Sequence, residues 1–142
     1  MEEKKIIRSV SENPQPQTIA KDWGSYTVLH EEKDNLTILV ILNEGHRMKY
    51  HSHEGRRELW IVASGTGRVI MNEEERFIRT GDVVQIPRQV RHTVIAGSEL
   101  KLIEVQIGDT AASDKTVYNL QQDYYSDGST GYSVSSWGDG ES

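Results

Sequence analysis

Two stretches of the chain carry residues whose types and spacing can do chemistry. The first reads Gly45-x5-His51-x-His53-x4-Glu58-x6-Gly65 and the second Gly81-x5-Pro87-x4-His92. In an extended strand alternate side chains share a face, so His51 and His53 point the same way with their imidazoles close together. A turn over Glu54 to Arg57 follows, and Glu58 then begins the neighbouring strand, from which it can add a carboxylate oxygen. His92 starts a later strand after a proline turn, where closure of a barrel could bring it opposite the other three. Three imidazoles and a carboxylate suit one divalent metal ion, zinc first, with iron, manganese, cobalt and nickel as alternatives. Such a set leaves positions open to substrate oxygens if the metal takes five or six ligands. The chain has no cysteine, so a thiolate site and a disulfide framework are both excluded.

To bring such residues together the chain needs several strands in one domain, and 142 residues suffice for one domain with a working core. From Lys21 to Gly108, β-branched and apolar runs alternate with turn signals. The runs are Gly24 to Leu29, Leu36 to Leu42, Arg47 to His53, Leu59 to Ala63, Gly67 to Met71, Glu75 to Ile78, Val83 to Ile86, His92 to Ile95 and Leu100 to Ile107. Short strands at this spacing predict an all-β barrel or sandwich over residues 21–108. Residues 1–20 are charged, then polar and proline-containing, and read as an arm with at most one strand, Lys5 to Val10. Residues 109–125 form an extension in which Val117, Leu120 and Tyr124 are spaced for a short helix over Asp114 to Tyr125. The Gly- and Ser-rich residues 126–142 read as a disordered tail.

Twenty-two acidic residues against 16 basic ones give a net charge of -6, which argues against nucleic acid as a partner. The first residues lack an apolar core of signal-peptide type, and no window is long and apolar enough to span a membrane. The expectation is a cytoplasmic protein with a small-molecule substrate. His30 and His46 carry no spacing signal and read as surface residues. Ser64-Gly65-Thr66-Gly67 lies between two strands rather than before a helix, so it reads as a hairpin turn and not as a phosphate loop.

The two motifs, with glycines at both ends of the first and a Gly-Pro-His order in the second, resemble the paired motifs of the cupin superfamily. That resemblance implies a double-stranded β-helix, or jelly-roll, barrel. A narrower resemblance runs from about Asp22 to Tyr125. It is to the cupin domain that ends type II phosphomannose isomerases and their bifunctional mannose-1-phosphate guanylyltransferase relatives. It rests on Trp23-Gly24-Ser25-Tyr26, on Tyr50-His51-Ser52-His53 with Arg56, Glu58 and Trp60, on Ser64-Gly65-Thr66, on Ile86-Pro87, and on Ile103-Glu104-Val105-Gln106 with Gly108. The sequence departs from the family pattern at several points. Gln89 stands for a usual glycine and Ala96 for a usual asparagine, Glu54 and Gly55 look inserted, and Lys49 replaces a glutamine. The acidic cluster and arginine usual after the barrel are absent, with Asn119 near the arginine's place. No guanylyltransferase domain precedes the motifs, so nucleotide transfer is not expected.

The resemblance implies a metal-dependent isomerase that interconverts mannose 6-phosphate and fructose 6-phosphate through an enediol, the metal polarising the C1 and C2 oxygens. Lys49, on the strand face of His51, would reach the pocket as a base or as a phosphate contact. Arg56 matches the family's arginine and is a second phosphate contact, since its planar fork fits phosphate oxygens in pairs. Glu104 and Gln106 become pocket residues able to move a proton or hold sugar hydroxyls, although alternation with Leu102 leaves open which face is buried. Plainer readings stand beside these: a polar barrel interior without metal, Lys49 as an ordinary charge at the mouth, and Arg56 as a loop residue paired with Glu54. Two other function classes also stay open. One is a different metal-cupin enzyme, a dioxygenase or sugar epimerase, and the other a non-catalytic cupin that binds a sugar or sugar phosphate. The resemblance further implies a homodimer packed sheet to sheet.

Overall fold

The computed structural model describes residues 15–108 and the backbone of 115–118. Its strands are β1 (Thr18–Lys21), β2 (Gly24–Glu32), β3 (Asn35–Leu42), β4 (Tyr50–His53), β5 (Arg56–Ser64), β6 (Thr66–Met71), β7 (Glu74–Arg79), β8 (Val83–Ile86), β9 (His92–Ala96), β10 (Leu100–Gly108) and β11 (Lys115–Tyr118). They form two antiparallel sheets, ordered β1-β2-β3-β10-β5-β8 and β11-β4-β9-β6-β7. The sheets enclose one core in a jelly-roll, all-β as the pattern of short strands predicts and of the kind the cupin resemblance implies.

Alternation along the strands decides what enters the core. β3 (NLTILVIL) buries every second residue, and its inward Leu36, Ile38, Val40 and Leu42 belong to the central cluster. On β5 the inward positions are Arg56, Glu58, Trp60 and Val62, and on β10 they are Leu100, Leu102, Glu104 and Gln106. The two strands pair antiparallel, with Leu102 against Val62, Glu104 against Trp60 and Gln106 against Glu58. The interior is therefore split lengthwise into an apolar half and a polar half. In the apolar half Trp60, Val62, Leu100 and Leu102 pack with Val69 and Val94, all at most 1% exposed. Each such large side chain contributes about 1.5–3 kcal/mol by leaving water. That half carries the stability which lets the other half bury charge.

Tight connections hold the strands at these registers. Asn72 and Glu73, at φ 48° and 72°, make the two-residue turn between β6 and β7, a geometry that suits the right-handed twist of a hairpin. At Gly65 (φ 97°) a Cβ would lie 2.1 Å from the Glu99 carbonyl oxygen, so only glycine fits there, and the expected hairpin turn is instead a tight crossover, because β5 and β6 lie in different sheets.

Three further local expectations need correction. The turn after His53 is shorter than Glu54 to Arg57, because β5 begins at Arg56 and places both Arg56 and Glu58 within its first turn-proximal residues. The described part of the expected helix, Lys115–Tyr118, is a strand paired with β4. β4 is joined to β9 through the His51–His92 pair, so its other edge has backbone groups to satisfy, and a strand supplies partners that a helix cannot. β1 was not anticipated, since TIAK is short and almost wholly exposed. The expected strand Lys5 to Val10 and the tail 126–142 lie outside the described residues. No helix among the described residues is long and apolar enough to cross a membrane.

The outer face of the larger sheet is unusually apolar. Leu39, Ile103, Ile61 and Val83 sit side by side on β3, β10, β5 and β8, and Ile61 and Val83 are 38% and 52% exposed. An antiparallel sheet with one solvated face normally alternates to polar residues there.

Candidate metal centre

β4 and β9 meet with His51 directly opposite His92, and His53 follows two residues along on the same face. The ring centroids are 4.3 Å apart for His51 and His92, 4.9 Å for His51 and His53, and 5.8 Å for His53 and His92. All three rings are buried, and one nitrogen from each lies within 4.8 Å of the others. The pairing register alone accounts for this, because cross-strand neighbours in a sheet hold their side chains side by side.

The backbone then aims the rings. His51 Nδ1 donates to the Lys49 carbonyl and His92 Nδ1 donates to the Val90 carbonyl at 2.9 Å. Each bond fixes the tautomer and leaves Nε2 with its lone pair directed inward. His92 Nε2 is buried and has no hydrogen-bond partner. Burial, joined by the like charge of His92 and His53, pushes the His51 pKa well below its ordinary value. Burial also lowers that of His92, against the opposing charge of Glu58. Both rings are held neutral, the form a metal requires.

Glu58 faces this cluster from β5. Its Oε2 is 3.4 Å from His53 Nε2 and its Oε1 is 3.8 Å from His92 Nε2. Trp60 Nε1 donates to Oε1 at 3.0 Å, and Arg56 Nε donates to Oε2 at 2.9 Å. Burial alone would raise the Glu58 pKa, but Arg56, His92 and His53 overcome it and bring the carboxyl to about 2. Glu104 is the counterpart. Burial pushes its pKa well above the ordinary value, the neighbouring Glu58 charge pushes it further, and Arg56 only partly opposes them. Gln106 Nε2 donates to Glu104 Oε2 at 2.8 Å, the Glu104 carboxyl is also within hydrogen-bonding reach of Glu58, and Gln106 Oε1 is buried with no partner. Two carboxyls thus share the interior, with Glu58 held toward the ionised form and Glu104 pushed toward the protonated one.

All eight residues singled out from the sequence can now be placed. His51, His53, Glu58, His92, Arg56, Glu104 and Gln106 line the polar half of the interior, each at most 4% exposed. The open question of which β10 face is buried is answered inward for Glu104 and Gln106. Arg56 lies within the site rather than in a loop paired with Glu54, its guanidinium engaged by Glu58 and His53. Lys49 is half-buried one residue before β4, and its carbonyl, rather than its ammonium, touches the cluster. Trp60 was legible as a matching residue but not as the hydrogen-bond donor to Glu58. The signal was its spacing, since Arg56, Glu58 and Trp60 share one strand face.

Two departures from the family pattern meet at the mouth. Gln89 adopts φ 66°, a left-handed conformation that costs a non-glycine residue about 1 kcal/mol. Its backbone nitrogen donates to the His53 carbonyl at 2.7 Å, and its side chain donates to Glu54 of the inserted pair at 2.9 Å. Glutamine at this position thus offsets its strain with a bond that glycine could not make.

A histidine cluster on facing strands inside an antiparallel jelly-roll defines a cupin. The chain belongs to the family described as mannose-6-phosphate isomerase C-terminal, whose model matches residues 9–121. The mannose-1-phosphate guanylyltransferase RfbM of Salmonella typhimurium is 30% identical over 126 residues, covering 84% of this chain and 26% of that protein. The chain therefore spans about a quarter of the length of the relative it matches. Solved structures of like fold include the capsular polysaccharide assembling protein CapF from Staphylococcus aureus, at TM-score 0.67 and 18% identity, covering 78% of this chain and 34% of that one. KdgF from Halomonas sp. has TM-score 0.62 at 18% identity, covering 70% of this chain and 90% of that one.

The residues present fit a divalent metal ion. Three imidazole nitrogens converge, the buried His92 Nε2 has no other partner, and an ionised carboxylate stands beside two of the three rings. Nitrogen and oxygen donors of this kind suit zinc and its neighbours in the first transition row.

Proposed function

We propose that this chain is a metal-dependent isomerase of sugar phosphates, of the mannose 6-phosphate to fructose 6-phosphate type. His51, His53, His92 and Glu58 would hold the metal, with zinc as the first candidate. The observation that carries the reading is the opposed pair of carboxyls beside the histidines. An aldose–ketose interconversion moves one proton between adjacent carbons, so it needs a group that can both take and return a proton near neutrality. Glu104, buried and pushed upward in pKa, is the carboxyl shifted in the direction such a role needs, whereas Glu58 stays ionised. A bound divalent ion would supply polarisation of the sugar's carbonyl and hydroxyl oxygens. Gln106 steadies Glu104 through Oε2 and offers its free Oε1 to a sugar hydroxyl. Lys49, half-buried at the start of β4, and Arg56 are the cations for the phosphate.

The test is elemental analysis of the purified protein followed by a coupled assay of mannose 6-phosphate conversion, with and without chelator. Stoichiometric metal with chelator-sensitive turnover is the expected result. Metal without turnover would replace the isomerase with a sugar-binding cupin.

We also infer a homodimer, supported by the apolar row Leu39, Ile103, Ile61 and Val83. The same row on both copies is complementary to itself across a two-fold axis. Ile103→Glu, in the centre of the row, is expected to give the monomer mass by sedimentation, with metal content unchanged. A wild-type chain that sediments as a monomer would remove the inference.

A further inference from the structure

Arg56 occupies an unusual place. Its Nη2 lies 2.8 Å from His53 Nε2 and 2.8 Å from Glu58 Oε2, and the guanidinium is fully buried. Arginine has only donors, so His53 Nε2 must be the acceptor and must spend its lone pair on Arg56. An imidazole nitrogen has one such pair, in the plane of the ring. It cannot accept from a guanidinium and bind a metal at once.

The Glu58 side of the site tells the same story. His53 Nε2 and Glu58 Oε2 are 3.4 Å apart, about the separation of two ligands on a tetrahedral ion with bonds of roughly 2.0–2.1 Å. Nη2 bridges that pair of atoms. An ion bound to both would displace Nη2 or stand beside a second positive charge in a buried, weakly screened interior. The guanidinium is held on one side only, because Nη1 is buried with no partner.

We propose that Arg56 is a built-in competitor for the metal, its guanidinium and a divalent cation excluding one another at His53 Nε2. The proposal rests on the metal reading above. Binding of the ion breaks the Arg56–His53 hydrogen bond and leaves the guanidinium fork, still anchored to Glu58 through Nε, free to meet an anionic substrate. Metal affinity and the availability of the arginine are then linked, and the arginine sets the affinity below what the ligands alone would give.

The experiment is a zinc titration against a chelating indicator at neutral pH, comparing wild type with Arg56→Met. Loss of a hydrogen bond to a charged group predicts roughly tenfold or greater tightening in the variant. Equal or weaker zinc binding by a folded Arg56→Met overturns the proposal. If neither protein binds zinc, the metal reading itself falls and this proposal with it. Should Arg56→Met fail to fold, the wild type decides by NMR of its arginine guanidinium groups. The Arg56 Nη2 resonance, slowed by its two acceptors, is expected to shift and broaden on zinc saturation. An unchanged resonance in the zinc-saturated protein overturns the proposal.

Discussion

Replacing His92 by alanine is expected to abolish metal retention while the jelly-roll stays folded. His92 is the histidine that β9 contributes, and it stands opposite His51 at the only registered pair of β4 with β9. Without it the cluster falls from three converging nitrogens to two adjacent ones on a single strand. Loss of a mere supporting hydrogen bond typically weakens metal binding by about 10- to 100-fold, and loss of a ligand should exceed that. The ladder that keeps β9 in place does not depend on the imidazole, since residues 92–96 pair with β6 through the backbone. The ring does fill space between His51 and Trp60, whose centroids lie 4.3 and 5.7 Å away, so some stability is lost with it. Elemental analysis after dialysis separates the two effects. The wild type should also melt higher with zinc than with chelator, by about 4 kcal/mol of linkage at a thousandfold excess over Kd, and His92→Ala should show no such difference. Full metal content in a folded His92→Ala would remove His92 from the ligand set. His30→Ala, on the exposed end of β2, is the control that should change nothing.

Much of this site was legible in the sequence because strands impose a period of two. His51-x-His53, Arg56-x-Glu58-x-Trp60 and Glu104-x-Gln106 each announce side chains on one face, and the structure turns each of those faces inward. The register that sets His51 against His92 was not legible, because nothing local to either strand fixes their alignment. That alignment depends on β6 and the loop at Gln89. The position of Arg56 was obscured for a different reason. A cation within the expected turn Glu54 to Arg57 reads as a loop residue, and only the ionised Glu58 two positions on makes burial of the guanidinium tolerable. The strand at Lys115–Tyr118 reads as a helix in sequence because three residues, Val117, Leu120 and Tyr124, are spaced at three and four, although only Val117 lies in the strand. An unpaired strand edge resolved the ambiguity through tertiary structure.

The metal-free protein should have its acid stability set by three buried groups, and the signs oppose one another. His51 and His92 have folded pKa values below 6.5, so each contributes stability that is present above 6.5 and is lost as pH falls. Glu104 has a folded pKa well above 4.5, so its contribution is present below 4.5 and is lost as pH rises. Between these two pH values the unfolded chain takes up protons on the histidines that the folded chain resists, while the folded chain holds a proton on Glu104 that the unfolded chain releases, so the Glu104 contribution offsets part of the histidines'. Net proton uptake on unfolding lowers stability as pH falls, each proton being worth about 1.4 kcal/mol per unit of pH. Glu58, at about 2, contributes nothing across this window because it is ionised in the folded state and its own loss begins only below 4.5. Glu104→Gln keeps the hydrogen-bonding shape but removes the opposing proton. Denaturant unfolding in chelator should then show a steeper acid slope, because the histidines' contribution is no longer offset. The same variant should lose the decline in stability that the wild type shows as pH rises from its optimum. Identical slopes for wild type and Glu104→Gln would mean that Glu104 is ionised in the folded protein, and the proton-carrying role proposed for it could not stand.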